Sequence, residues 1–242
     1  AEGARALVLD VKVGSGAFFG TLSEARRLAE RLRDVAVESG LACSAIITNM
    51  DQPLGRAIGN TLEVEEALAC LDGGGPPDLR SLVLELGVEM LKLAGLAGED
   101  PRARLEELLD SGAARERFLK LVEAQGGDPR VLEHGELPRA PQAETLTAPA
   151  AGYVSGIDGR ALGLAAIALR AGRDRREDAI DPTAGLMVYL RLGDRVETSS
   201  PWVTMRYGPD ADVDRARELV HSALTLSAEK PESCPLIHER LQ

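Results

Sequence analysis

Basic charge is in short supply in these 242 residues: 28 Lys and Arg stand against 39 Asp and Glu, a net charge of −11. That balance argues against a broad cationic surface for nucleic acid, while leaving room for a local pocket that takes a small anion. Lysine is scarcest of all, with only Lys12, Lys92, Lys120 and Lys230. The three cysteines, Cys43, Cys70 and Cys234, are far apart and have no C-x-x-C spacing. Reduced structural thiols of a cytoplasmic protein are expected rather than a disulfide framework. His134, His221 and His238 lack metal-ligand spacing. No apolar stretch approaches the ~20 residues of a membrane span, so no membrane partner is expected. The opening Ala1-Glu2-Gly3-Ala4-Arg5 has neither an initiator Met nor a long apolar run. It reads as a processed product or a fragment without a secretory leader.

Hydrophobic residues make up 44% of the chain, enough to bury a core. Their pattern predicts an α/β fold: a partial parallel-sheet α/β domain with a helical segment over 1–140, then an α+β module over 143–242. Ala6 to Val13 is nearly continuous in apolarity and rich in β-branched residues, as a buried strand is. A Gly-rich turn follows. Thr21-Leu-Ser-Glu24 is a capping box, and Leu22, Ala25, Leu28, Ala29, Leu32 and Val35 repeat at helical spacing. Ala42 to Thr48 is a second strand, and strand–helix–strand implies a right-handed parallel unit. Residues 49–60 read as a loop. Asn60-Thr-Leu-Glu63 reads as the cap of a helix to Leu71, and Asp78 as the cap of one from Leu79 to Ala94. Residues 98–140 read as charged structural helices and a linker. Beyond them, strand signals flank a short helix at Ala161 to Ala171, and an amphipathic helix is expected from Asp212 to Leu226.

Three places invite chemistry. Asp10 and Lys12 share strand parity, so they point to one side; two charges on such a strand call for an ion pair, whether structural or supporting a cleft. Gly14-Ser15-Gly16, with Phe18 after it, sits where open α/β sheets bind ligands. It is not a dinucleotide fingerprint, which needs a third Gly where Phe19 stands, so an oxidoreductase reading is disfavoured. Glu66, early in a helix, is by itself most simply a solvated residue or a dipole partner. The Gly193-Asp-Arg-Val196 turn would suit a lipoyl or biotinyl carrier, but no Lys lies between Lys120 and Lys230 to be modified.

Asp10-Val-Lys12-Val-Gly14-Ser15-Gly16-Ala17-Phe18 resembles the D-V-K-V-G-S-G-A-F segment of thymidine and pyrimidine-nucleoside phosphorylases. Asp51-Gln-Pro-Leu-Gly-Arg-Ala-Ile-Gly-Asn60, with Leu62-Glu63-Val64 and Glu66-Ala67, resembles that family's Q-P-L-G-R-x-x-G-N-x-L-E-V-x-E-A. Three shorter matches follow in family order: Gly75-Pro76 with Asp78-Leu79, Gly172-Arg173 with Asp178, Ile180, Asp181 and Gly185, and Gly193-Asp194-x-Val196.

The resemblance implies a transferase (a pentosyltransferase of nucleoside salvage) that is a homodimer when intact. A helical domain faces an α/β domain across a cleft, and phosphate attacks C1′ of a pyrimidine nucleoside, reversibly giving free base and (deoxy)ribose 1-phosphate. It implies that Phe18 touches the C5 side of the pyrimidine, and that Asp10, Lys12, Gly14, Ser15 and Gly16 support the cleft. It further implies that the carbonyls of Leu54 and Ala57 and the carboxylate of Glu66 ligate a monovalent cation, potassium, with no other cofactor required. The family's K-H-S-T-G-G and S-G-R-x-x-x-x-T-G-G-T phosphate segments and its base-gripping Arg, Ser and Lys do not occur in these residues. No catalytic residue is therefore expected within this chain, which is expected to be inactive alone. A non-catalytic binding or scaffold module with the same fold is the alternative.

Overall fold

The computed structural model describes residues 3–242. Strand β1 (Ala6–Val13), helix α1 (Leu22–Glu38) and strand β2 (Ala42–Asn49) form the expected unit, with β1 parallel to β2 from Ala6 opposite Ala42 to Val13 opposite Asn49. Thr21 caps α1 by accepting from the Glu24 amide, and its hydroxyl bonds the Glu24 carboxylate at 2.6 Å. The helix meets the sheet through its small residues: Ala25, Ala29 and Ala36 are buried, whereas Leu32 and Val35 of the predicted apolar stripe are exposed. Close approach to a twisted sheet favours alanines on the inner face and leaves the larger side chains at the rim.

Two short pieces follow, β3 (Ala57–Ile58) and helix α2 (Asn60–Leu71), then α3 (Pro77–Leu93), α4 (Pro101–Asp110), α5 (Ala113–Ala124) and α6 (Pro129–Glu133). Both predicted caps here are corrected. The residue capping α2 is Gly59, whose amide donates to Glu63 Oε1 at 2.9 Å, and Asn60 is already helical. Helix α3 starts at Pro77, because Pro at the first helical position needs no amide partner. Asp78 is thus released from capping, and its carboxylate serves another purpose.

The remaining elements are β4 (Gln142–Thr147), β5 (Gly152–Ile157), α7 (Gly159–Ala168), β6 (Gly185–Val188), β7 (Arg195–Val196), β8 (Pro201–Tyr207), α8 (Val213–Ser222), β9 (Leu224–Ser227) and β10 (Ile237–Leu241). The long helix expected to Leu226 therefore stops at Ser222, and the chain turns into β9, paired antiparallel with β5. Leu224 and Leu226 satisfy a two-residue period as well as a helical one, and pairing with β5 selects the strand. Two sheets, ordered β3-β6-β8-β4 and β7-β5-β9, enclose the larger core with α7 and α8. Leu162, Leu169, Val203 and Met205 are fully buried there, and the Trp202 indole N–H donates to the Val220 carbonyl at 3.3 Å.

Strand pairing ties the two halves of the chain together. The C-terminal β10 runs antiparallel to β2, with Leu241 opposite Ala45, and β3 of the first half pairs with β6 of the second. Glu89 of α3, only 2% exposed, accepts from Lys92 Nζ at 2.9 Å and Ser44 Oγ at 3.4 Å, and lies 3.5 Å from Arg240 Nη1 of β10.

Candidate active-site cleft

A cleft of about 840 Å³ opens beyond the C-terminal ends of β1 and β2, the end of a parallel sheet where ligands bind. Its near wall includes Ser15, Asn49, Asp51, Gln52, Leu54 and Asp78. Its far wall comes from the C-terminal half, with Ile157, Asp158, Leu192 and Asp194, and the Lys230–Leu236 stretch closes one side.

The turn after β1 is built on backbone that only glycine fills. Gly14 has φ +131°, and a Cβ there would lie 2.7 Å from the Asp51 backbone nitrogen and 2.6 Å from its Oδ1. The close approach lets Asp51 Oδ1 accept the Ser15 amide at 3.0 Å, while the Asp51 amide donates to Asn49 Oδ1 at 2.7 Å. Gly16 donates to the Met50 carbonyl at 2.9 Å, and the Ser15 hydroxyl donates to the Ile157 carbonyl at 3.2 Å. The glycine turn is therefore held by the loop after β2 and by the C-terminal half together. Phe18 stands at its tip with its side chain fully in solvent. An aromatic so exposed has no packing role within this chain.

Asp10 and Lys12 form the pair their parity predicts. Lys12 Nζ lies 2.6 Å from Asp10 Oδ2 and donates to Thr48 Oγ1 at 3.0 Å, and the Thr48 hydroxyl donates to Asp10 Oδ1 at 2.5 Å. Thr48 of β2 thus converts a surface-strand pair into a closed three-residue network. The two charged side chains remain about a quarter exposed, at 27% and 23%.

The loop from Gln52 to Ala57 is held from several directions. Glu66 Oε1 accepts the amides of Arg56 at 2.8 Å and Ala57 at 3.1 Å. Gly55 has φ +67°, and any side chain there would strike Glu66 Oε2. Burial pushes the Glu66 carboxyl above the usual range against the pull of those two amides, and the neighbouring Asp78 charge pushes the same way. Gly55 donates to Asp78 Oδ2 at 3.2 Å and accepts from Arg191 Nη1 at 2.5 Å, and Arg191 Nη2 pairs with Asp78 directly. Burial lowers the Arg191 pKa, opposed chiefly by the Asp78 charge. Gln52 Oε1 accepts the Leu192 amide at 2.9 Å. Leu54 and Ala57 thus lie on the loop that Glu66 organises. Among the described residues, no hydrogen bond uses Glu66 Oε2 or the Leu54 carbonyl, and no cluster of three His, Cys, Asp or Glu has the geometry of a metal site.

Sequence reasoning quoted Asp51, Gln52 and Asp78 within family segments without giving them a role in the cleft, read Asp78 as a cap, and did not single out Arg191. Arg191 and Asp78 are 113 residues apart. For Arg191 the sequence hint was its place beside the Gly193-Asp194 turn, whose Asp194 carboxylate accepts the Arg191 amide at 2.8 Å.

Comparison with known proteins covers most of the chain. Residues 1–115 match the glycosyl transferase family a/b domain, and residues 153–227 match the pyrimidine nucleoside phosphorylase C-terminal domain. A pyrimidine-nucleoside phosphorylase of Staphylococcus aureus (strain bovine RF122 / ET3-1) is 43% identical over 242 residues, 99% of this chain and 55% of the relative. A thymidine phosphorylase of Mycobacterium tuberculosis (strain ATCC 25618 / H37Rv) is 42% identical over 241 residues, 100% of this chain and 55% of the relative. The chain thus spans a little over half the length of these curated relatives.

Proposed function

We propose, from the premise that this chain belongs to the thymidine and pyrimidine-nucleoside phosphorylase family, that it supplies the phosphate-side α/β wall of a pentosyltransferase. The reaction is reversible phosphorolysis of a pyrimidine nucleoside to free base and (deoxy)ribose 1-phosphate. The observation that carries the reading is the Gly14–Gly16 turn, locked by Asp51 at the C-terminal end of the parallel strands and facing the cleft. Phosphate and nucleoside are the partners in this reading, and the intact protein is a cytoplasmic homodimer of nucleoside salvage.

In such a reaction positive charge develops at C1′ and negative charge on the departing base, so fixed dipoles and fixed reactant geometry supply the acceleration. This chain's residues contribute geometry. Asp51 and Ser15 hold the turn, Asp10, Lys12 and Thr48 stiffen the strand ends beneath it, and Phe18 offers an apolar face to the pyrimidine. The groups that grip phosphate and base lie outside these residues, so the chain by itself is inactive.

Glu66 suits a monovalent cation. One carboxylate oxygen is fixed by two amides, no hydrogen bond among the described residues uses the other, and burial and the Asp78 charge both raise the carboxyl's pKa, which a bound cation would oppose. Potassium held by the Leu54 and Ala57 carbonyls and Glu66 would neutralise that charge and stiffen the loop.

The test is intact mass of the natively expressed protein, with release of thymine from thymidine and phosphate measured on the same sample. A mass well above 25.7 kDa with phosphate-dependent release is expected. A native mass of 25.7 kDa with no release from thymidine or uridine would falsify the enzyme reading and leave a scaffold.

A further inference from the structure

The loop from Gln52 to Ala57 lines the cleft with its first three residues, Gln52 to Leu54, yet two of its fixed contacts come from the C-terminal half. Arg191 reaches across from the C-terminal half and places one guanidinium nitrogen on the Gly55 carbonyl and another on the Asp78 carboxylate. Asp78 in turn accepts the Gly55 amide. Gly55 is therefore held by both its carbonyl and its amide in a closed ring of three residues. The ring spans two donors of one planar guanidinium, a geometry a lysine ammonium cannot copy. Arg191 is itself held, because its backbone amide is fixed by Asp194, and the next residue, Leu192, donates to Gln52. Its side chain is 16% exposed and that of Asp78 23%, so water competes poorly for these bonds. The guanidinium points into the loop and not into the open cleft, which fits a supporting role and not contact with substrate.

We propose that Arg191 is a positioning residue for the phosphate side of the site: the C-terminal half sets the Gln52–Ala57 loop in its working shape through the Arg191–Gly55–Asp78 ring. This rests on the phosphorylase reading above. The C-terminal half is on this account a brace for the cleft, and its contribution to rate is transmitted through one loop.

The experiment compares wild type, Arg191→Met and Arg191→Lys in the full-length protein that contains this chain. Methionine keeps length and apolar volume but has no donor. Two quantities are read: hydrogen exchange of the Gly55, Arg56 and Ala57 amides, and the KM for phosphate against kcat at saturating thymidine. Arg191→Met is expected to speed exchange of those three amides by roughly 10-fold or more and to raise the phosphate KM by about 10-fold. The Ala45–Ile47 amides of β2 should keep their protection. Arg191→Lys, which keeps the charge and loses the fork, should fall between, and it serves as the variant of record if the methionine protein does not fold. Unchanged exchange of the loop amides overturns the proposal. So does a fall in stability or kcat with the phosphate KM unmoved, which is the mark of a purely structural residue. A wild-type protein that releases no base refutes the phosphorylase reading instead, and loop exchange alone then decides whether Arg191 holds the loop.

Discussion

Replacing the buried Glu89 by methionine should cost less than removing the cations around it. Glu89 is 2% exposed, whereas Lys92 and Arg240 are 48% and 36% exposed. Glu89→Met discards charge-assisted bonds worth about 1.5–3 kcal/mol each. It also discards the desolvation penalty of a buried carboxylate, several kcal/mol in size, and leaves Lys92 to water while Arg240 keeps its 2.6 Å bond to Glu85 Oε2. The net change is about 1 kcal/mol in either direction. Lys92→Met with Arg240→Met leaves the carboxylate buried with Ser44 as its one remaining partner among the described residues, and an unpaired buried charge costs about 3–5 kcal/mol; the partly exposed Arg240–Glu85 pair lost with it adds only about 0–1 kcal/mol. At about 2–4 °C per kcal/mol for a chain of this size, the double variant should melt some 6–20 °C lower. Adding Glu89→Met to the double variant should recover most of that loss. Thermal denaturation of all four proteins, followed by far-UV circular dichroism, gives the midpoints. A Glu89→Met protein as unstable as the double variant, or a triple variant no more stable than the double, would show that the buried charge is not what makes losing the cations costly.

Gly14→Ala should destabilise by about 2 kcal/mol or more, because φ +131° and the Asp51 backbone both oppose a Cβ; a thermal shift under 2 °C would contradict this. Phe18→Ala should leave stability within about 0.5 kcal/mol, since the ring is fully exposed, yet raise the nucleoside KM of the full-length enzyme roughly tenfold. An unchanged KM would remove Phe18 from the base pocket. The Arg217 guanidinium holds the Glu144 carboxyl below the usual glutamate range. A depressed folded pKa gives stability that is full above the unfolded value and lost as pH falls through the folded one. Glu144→Gln should therefore narrow the stability gap to wild type as pH drops below about 4, by a small amount because the pair is partly exposed. A gap that widens in acid would contradict the sign.

The parallel unit was legible because its signals are local: an apolar strand, a capping box, a helical repeat and a second apolar strand within 50 residues. The glycine turn and the Asp10–Lys12 pair were legible for the same reason, as strand parity fixes where side chains point. What stayed hidden depends on partners distant in sequence. Ile237–Leu241 is assigned no element from sequence because Glu239 and Arg240 interrupt its apolar residues, and pairing with the open side of β2 makes it a strand. Gln52, Asp78 and Arg191 carry no periodic signal, and their roles exist only once the two halves meet. Asp78 shows the ambiguity most clearly: an acidic residue after two prolines suits a cap, and the first proline-compatible turn displaces it into the helix.

The antiparallel pairing of β10 with β2 has a consequence for synthesis. β1 and α1 can dock on β2 soon after they emerge, but the strand that covers the other edge of β2 lies roughly 200 residues further along. At about 5–20 residues per second, a ribosome leaves that apolar edge uncovered for some 10–40 s. Open edges of this kind recruit other chains. Ser44, with the Glu89 carboxylate on its hydroxyl, and Thr48 place polar groups on either side of the apolar Ala45–Ile47 run, where they would blunt association between nascent chains until β10 arrives.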